Sequence, residues 1–189
     1  KMENIGVVDE PEIRLTVFSE NKPTPNTMGK IVEELNWRYG FNEDISEFLG
    51  QFRNDRFLKP VFKRWRGMRS NCANSLYEIM MISIVLQNST VKRTTQMMNN
   101  LFNTYGSKLK FDDRELLAYW NPETLASIAE EDLRTLKVGY RAKMIKRVSE
   151  AFTRRAIDET KLRKMSTEDA KKELMKLYGG GPATAQIIL

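Results

Sequence analysis

From residue 26 onward, apolar side chains return every three or four positions, the period of an amphipathic helix, and Gly, Pro, Asn and Ser punctuate the runs. Ile31, Leu35 and Tyr39 predict a helix over 27–39 that stops at Gly40. Asn42 is placed to cap a second helix carrying Ile45, Phe48 and Leu49, and Phe57, Val61, Phe62 and Trp65 mark a third over 56–66, ended by Gly67. Residues 74–86 (NSLYEIMMISIVL) are apolar nearly all round, the mark of a helix enclosed by others. Ser89 is expected to cap a helix over 90–105 with Val91, Met97, Met98, Leu101 and Phe102 inward and Gly106 as its stop. Further helices are expected over 113–119, 122–128, 130–136, 141–155 and 167–177. Only residues 12–18 read as a strand, because Ile13, Leu15 and Val17 alternate with polar neighbours. That strand has no evident partner, so it is either an extended arm or the last strand of a sheet whose other members lie outside the chain. The fold class is therefore all-α, a multi-helix bundle with a short N-terminal strand or arm. Its expected division is an arm and linker over 1–25, with Pro23 and Pro25 in the linker, followed by a helical domain over 26–189.

Composition narrows the chemistry more than the fold. The 189 residues, 41% hydrophobic and 30% charged, are enough to bury a core. There is no histidine, which excludes Ser-His-Asp and Cys-His nucleophiles, His-ligated zinc and imidazole acid-base pairs. The single cysteine, Cys72, can form no internal disulfide and no four-cysteine metal site. No run approaches the ~18 apolar residues of a membrane span, and the opening KMENIGVVDEPEIR lacks a signal-peptide pattern. The expected setting is intracellular, in cytoplasm, nucleoid or nucleus, with no membrane partner.

The net charge of +6 is unevenly distributed. Residues 53–69 hold seven basic side chains and one acidic, and residues 137–165 hold ten basic and three acidic, so two short strips carry more than the whole excess. Two solvated helix faces would account for this, and so would a surface for a polyanion, since each neutralised phosphate releases counterions.

The end of the chain carries the sharpest motif. A helix over 168–177 runs into Leu177-Tyr178-Gly179-Gly180-Gly181, and Pro182 opens a second helix, Ala183-Thr184-Ala185-Gln186-Ile187-Ile188-Leu189. Glycines before a helix that starts on proline make a tight corner whose exposed amides can hold a phosphate. An ordinary helical corner is the competing reading.

Three blocks, in order, resemble the helix-hairpin-helix (HhH-GPD) DNA glycosylase superfamily, in particular its 8-oxoguanine and 3-methyladenine branches. They are Gly67-Met68-Arg69 with Leu76-Tyr77-Glu78 and Leu86-Gln87-Asn88-Ser89-Thr90-Val91-Lys92-Arg93; then Leu136-Lys137-Val138-Gly139-Tyr140-Arg141-Ala142-Lys143; then the hairpin. The resemblance implies double-stranded DNA with a damaged base as partner, a monomer, and extrusion of that base from the stack. Under it Asn88 and Tyr140 fill the hole and wedge the duplex, and Arg93 and Arg141 face the orphaned base. The amides of Gly179 and Gly181 clamp a phosphate, with Lys143 and Thr184 among the DNA contacts. The bland alternatives are a cap-region Asn88, a core Tyr140 and solvated arginines. No organic cofactor is implied, though hairpins of this family often hold a monovalent cation on backbone carbonyls, here those of Gly179 and Gly181.

Two departures qualify the chemistry. The family's strand-cleaving lysine falls on Ala183, so no amine is available for a Schiff base there and the implied route is monofunctional hydrolysis of the N-glycosidic bond. The family's carboxylate falls about twenty residues past the hairpin, beyond Leu189, in chemistry akin to glycoside hydrolysis. The apolar, uncapped ending 185–189 is expected to continue in a longer parent protein. A non-catalytic helix-hairpin-helix DNA-binding module is the alternative to an enzyme.

Overall fold

The computed structural model describes residues 1–7, 10–65, 67–68 and 71–189. Arg66 and Arg69, which belong to the first basic strip and the first motif block, lie outside the described residues. The chain forms two compact units, 1–73 and 74–189.

The first unit begins with a two-stranded antiparallel sheet. Strand β1 (Met2–Asn4) pairs with β2 (Ile13–Leu15) in the register Met2 to Leu15 and Asn4 to Ile13. The strand read from residues 12–18 therefore does have a partner in the chain, one too short to show alternation. Helix α1 (Pro25–Tyr39) is capped by Thr24, whose hydroxyl accepts the Thr27 N–H, and ends at Gly40 with φ 59°. Helix α2 (Ser46–Gln51) is held at its start by Asp44, whose carboxylate accepts the Ser46 N–H at 2.8 Å, and not by the Asn42 cap expected from the sequence. Helix α3 (Leu58–Trp65) starts over Asp55.

The second unit is a helical bundle around α4 (Leu76–Leu86). Ser75 and Glu78 form a reciprocal capping box, and Leu76, Tyr77, Met80, Met81, Ile84 and Val85 are buried, as an all-round apolar helix requires. Helix α5 (Val91–Tyr105) is capped by Thr90, one residue later than the Ser89 cap expected from the sequence.

Residues 113–119 are not a helix. Strands β3 (Ser107–Phe111) and β4 (Arg114–Ala118) form a hairpin whose two-residue turn, Asp112-Asp113, has φ values of 50° and 57°. Aspartate tolerates left-handed backbone, so this pair serves as a type I′-like turn in place of the usual Asn-Gly. An acidic pair before apolar residues also looks like a helix start, which is how the element is misread.

Helices α6 (Pro122–Ser127), α7 (Glu130–Leu133) and α8 (Arg141–Thr153) follow, α8 packing on α4, α6 and α7. Between α7 and α8, residues 134–138 form a widened helical turn in which Lys137 is left-handed. A short α9 (Glu159–Leu162), unanticipated in the sequence, precedes α10 (Thr167–Met175) and α11 (Pro182–Ile188).

One buried polar network ties the bundle together. Trp120 Nε1 donates to Tyr77 Oη at 3.1 Å, and Tyr77 Oη shares a 2.8 Å hydrogen bond with Ser149 Oγ across from α8. Burial raises the Tyr77 phenol above its ordinary pKa, while those two hydrogen bonds pull the other way. Tyr77→Phe leaves the Trp120 N–H without its acceptor, and the expected loss is about 1–3 kcal/mol of stability, read as a lower denaturant midpoint at unchanged slope.

Candidate nucleic-acid interface

The Gln87–Asn88 part of the first motif block, the second block and the hairpin meet at one residue the sequence reading left out of the site. Gln87 follows the last turn of α4 with extended backbone, and its neighbour Asn88 is left-handed at φ 46°, a conformation asparagine accepts better than most residues. This reversal holds Asn88 exposed at the turn between α4 and α5. The Gln87 carbonyl accepts a hydrogen bond from Arg141 Nη2 and lies 3.5 Å from Tyr140 Oη. On its other side, Gln87 Nε2 donates to the Gly179 carbonyl at 3.3 Å. A single side chain and its carbonyl thus join the Asn88 turn, the start of α8 and the hairpin. The only sequence cue to this part was its place beside Asn88 in the first block.

Tyr140 reaches this junction because the backbone turns sharply before it. Gly139 sits at φ 62°, ψ −135°, a combination open to glycine, and follows left-handed Lys137. Tyr140 is 48% exposed, so it is a surface aromatic and not part of the core.

Arg141 behaves otherwise than its sequence reading as a donor to an orphaned base. It is 2% exposed, with Nε donating to the Ile84 carbonyl at 3.2 Å and Nη2 engaged by Gln87. The guanidinium holds the C-terminal carbonyls of α4, where positive charge is favoured. It also lies 4.7 Å from the Tyr140 ring centroid, within cation–π range. Thr184 is likewise buried, at 5% exposure, so a DNA contact there would fall to its backbone and not to its side chain. Arg93 remains exposed in the first turn of α5.

The hairpin follows from its glycines. Gly179 adopts φ 87°, and at Gly180 an added Cβ would stand 2.2 Å from the Leu174 carbonyl oxygen. The Gly180 N–H donates to the Leu177 carbonyl at 2.9 Å. Among the described residues, the Gly179 and Gly181 N–H groups have no acceptor. Gln87, Asn88, Met144, Tyr178 and the turn 179–184 line one open groove of about 850 Å³.

A monovalent cation on the Gly179 and Gly181 carbonyls would share each oxygen with a hydrogen bond. Gly179 O already accepts from Gln87, and Gly181 O accepts the Ala185 N–H at 3.0 Å within α11. No step below passes through such an ion, and among the described residues no cluster of acidic or sulfur ligands could hold a metal.

The basic strip over 137–165 is only partly free. Arg141 is buried, Lys146 Nζ donates to the Ala126 and Ile128 carbonyls at 2.9 and 2.7 Å, and Arg163 pairs with Glu159 at 2.5 Å. Lys143 and Arg147, exposed on one face of α8, stand 5.8 and 5.9 Å from the ring centroid of Tyr178 in the hairpin. This places two cations and an aromatic ring at the lip of the groove. No described helix is long and apolar enough to cross a membrane.

The chain is similar in sequence and fold to known proteins. The chain is 26% identical over 176 residues to a probable N-glycosylase/DNA lyase of Methanothermobacter thermautotrophicus, covering 83% of this chain and 56% of that protein. It is 19% identical over 187 residues to a DNA-3-methyladenine glycosylase of Bacillus subtilis, covering 98% and 62%. Its fold matches the Clostridium acetobutylicum 8-oxoguanine glycosylase/lyase in complex with DNA containing cytosine opposite 8-oxoguanine. There the TM-score is 0.72 at 19% identity, with 99% of this chain and 61% of that one covered. The chain spans less than two thirds of the length of each of these relatives. Residues 81–183, more than half of the chain, match the HhH-GPD superfamily of base excision DNA repair proteins, and the chain belongs to that family.

Proposed function

We propose that this chain is the DNA-gripping part of a monofunctional DNA glycosylase that hydrolyses the N-glycosidic bond of a damaged purine, of the 8-oxoguanine or 3-methyladenine type. The carrying observation is the junction at Gln87, which lines one groove with the exposed Asn88 and the glycine hairpin and has the exposed Tyr140 at its carbonyl. An enzyme acting on a base inside a duplex must extrude it, fill the gap and hold the bent backbone. Tyr140 supplies a flat, half-exposed wedge, and Asn88 supplies amide donors and acceptors for the vacated space. The hairpin offers the Gly179 and Gly181 amides, backed by Lys143, to a phosphate. Arg93 is the exposed guanidinium for the orphaned base, while Arg141 positions the turn that carries Asn88.

Ala183 bears no amine, which supports water, activated by a carboxylate, as the attacking group in place of a lysine. The groove lining contains no carboxylate of its own. The second reading is a helix-hairpin-helix module that binds DNA without cutting it.

A single assay separates the two. The full-length protein is incubated with duplexes carrying 8-oxoguanine or 3-methyladenine and then treated with hot alkali. Strand scission only after alkali is the expected result. Tight binding without base loss establishes the module, and scission before alkali, trappable by borohydride, overturns the monofunctional route.

A further inference from the structure

The first basic strip takes no part in the site described above. Its one acid is committed to the backbone, since Asp55 Oδ1 accepts the Phe57 and Leu58 N–H groups at 2.8 and 2.9 Å at the start of α3. Arg53, Lys59 and Lys63 line a separate open groove of about 570 Å³ between α2 and α3, floored by Leu49 and Phe62. All three cations are exposed, and among the described residues none of them forms an ion pair.

Lys59 and Lys63 are four residues apart and so share one face of α3, where like charges repel. A bound polyanion offsets that repulsion by attracting both cations. Aromatic rings are interleaved with the charge: Phe57 is 76% exposed with the Arg56 guanidinium 5.7 Å from its centroid, and Trp65 is 53% exposed with Arg64 at 5.5 Å. Unpaired cations along an open groove, with exposed aromatic–arginine pairs interleaved with them along the chain, are the surface chemistry of a site that tracks a sugar-phosphate backbone.

We infer that the groove between α2 and α3 is a second DNA-backbone contact, separate from the hairpin; this rests on the DNA reading above. The test measures duplex affinity against salt for the whole chain. For Lys59→Gln/Lys63→Gln, the slope of log affinity against log salt falls by about 2 and low-salt affinity falls about tenfold. Lys143→Gln, at the hairpin lip, serves as the control and lowers the slope by about 1. An unchanged slope in the double variant beside a reduced one in Lys143→Gln overturns the inference and leaves the DNA reading standing. Absence of duplex binding by the unaltered chain removes both. Lysine acetylation of the unaltered chain gives a readout free of any folding defect: protection of Lys59 and Lys63 by duplex supports the contact, and equal labelling with and without DNA refutes it. Protection by anionic lipid vesicles but not by duplex also refutes it.

Discussion

Gly180→Ala is expected to collapse the hairpin and lower duplex affinity at least tenfold. The added methyl would sit 2.2 Å from the Leu174 carbonyl oxygen and 3.0 Å from that of Leu177. Both obstacles are backbone, the first at the end of α10, and neither can swing aside as a side chain would. Relief requires the turn to move, which breaks the hydrogen bond from Gly180 N–H to Leu177 and displaces the amides of Gly179 and Gly181 from the groove. Overpacking of this kind costs about 3 kcal/mol, the upper end of the usual range. For a chain of this length that corresponds to a fall in Tm of roughly 6–12 °C. Gly181→Ala is the control, because nothing lies within 4 Å of its Cβ position and its φ is −74°. Equal behaviour of the two variants in thermal unfolding and in duplex titration would show that the close approach at Gly180 does not set the hairpin.

Arg141→Ala has the next largest expected effect, and it acts first on stability. Arg141 is the largest fully buried side chain among the described residues, and its removal leaves the Gln87 carbonyl with only the long contact to Tyr140. The Ile84 carbonyl keeps the Gln87 N–H at 3.3 Å but loses the Nε donor. A cavity at the start of α8 adds to these losses, giving about 3 kcal/mol in all and a Tm lower by roughly 6–12 °C. Arg141→Lys recovers part of it, since an ammonium can meet one carbonyl but cannot span two. The role is read from two numbers: Tm, and affinity for an abasic duplex at a temperature where the variant is folded. A low Tm with restored affinity marks a positioning residue. An unchanged Tm with lost affinity would return Arg141 to the orphaned base.

The sequence made the bundle legible wherever the signal was local and repeated. The all-round apolar run 74–86 became the central helix α4, and the glycine-proline corner at 177–182 became the turn between α10 and α11. Failures arose where two structures share one local code. Asp112-Asp113 reads equally as a helix start and as a left-handed hairpin turn, and only the cross-strand pairing of 107–111 with 114–118 decides between them. Strand β1, three residues long, offers no period to detect. The site divided in the same way. Asn88, Tyr140 and the hairpin were readable as motifs, but Arg141 in a basic strip looks like any solvated arginine until burial is known. Gln87 acquires its role only through partners 53 and more residues away.

The junction at Gln87 also bears on how fast the chain engages its target. Because the Asn88 turn is tied to α8 and to the hairpin before any DNA arrives, its conformational entropy is surrendered during folding and not during association. Preorganisation of this kind favours docking close to a rigid body, with an association rate governed by diffusion and charge more than by loop rearrangement. Gln87→Ala severs the link to the hairpin while leaving the backbone carbonyl in place. Under the proposed function it would therefore loosen the hairpin side of this surface while Arg141 still holds the Asn88 turn, and association with duplex would slow accordingly.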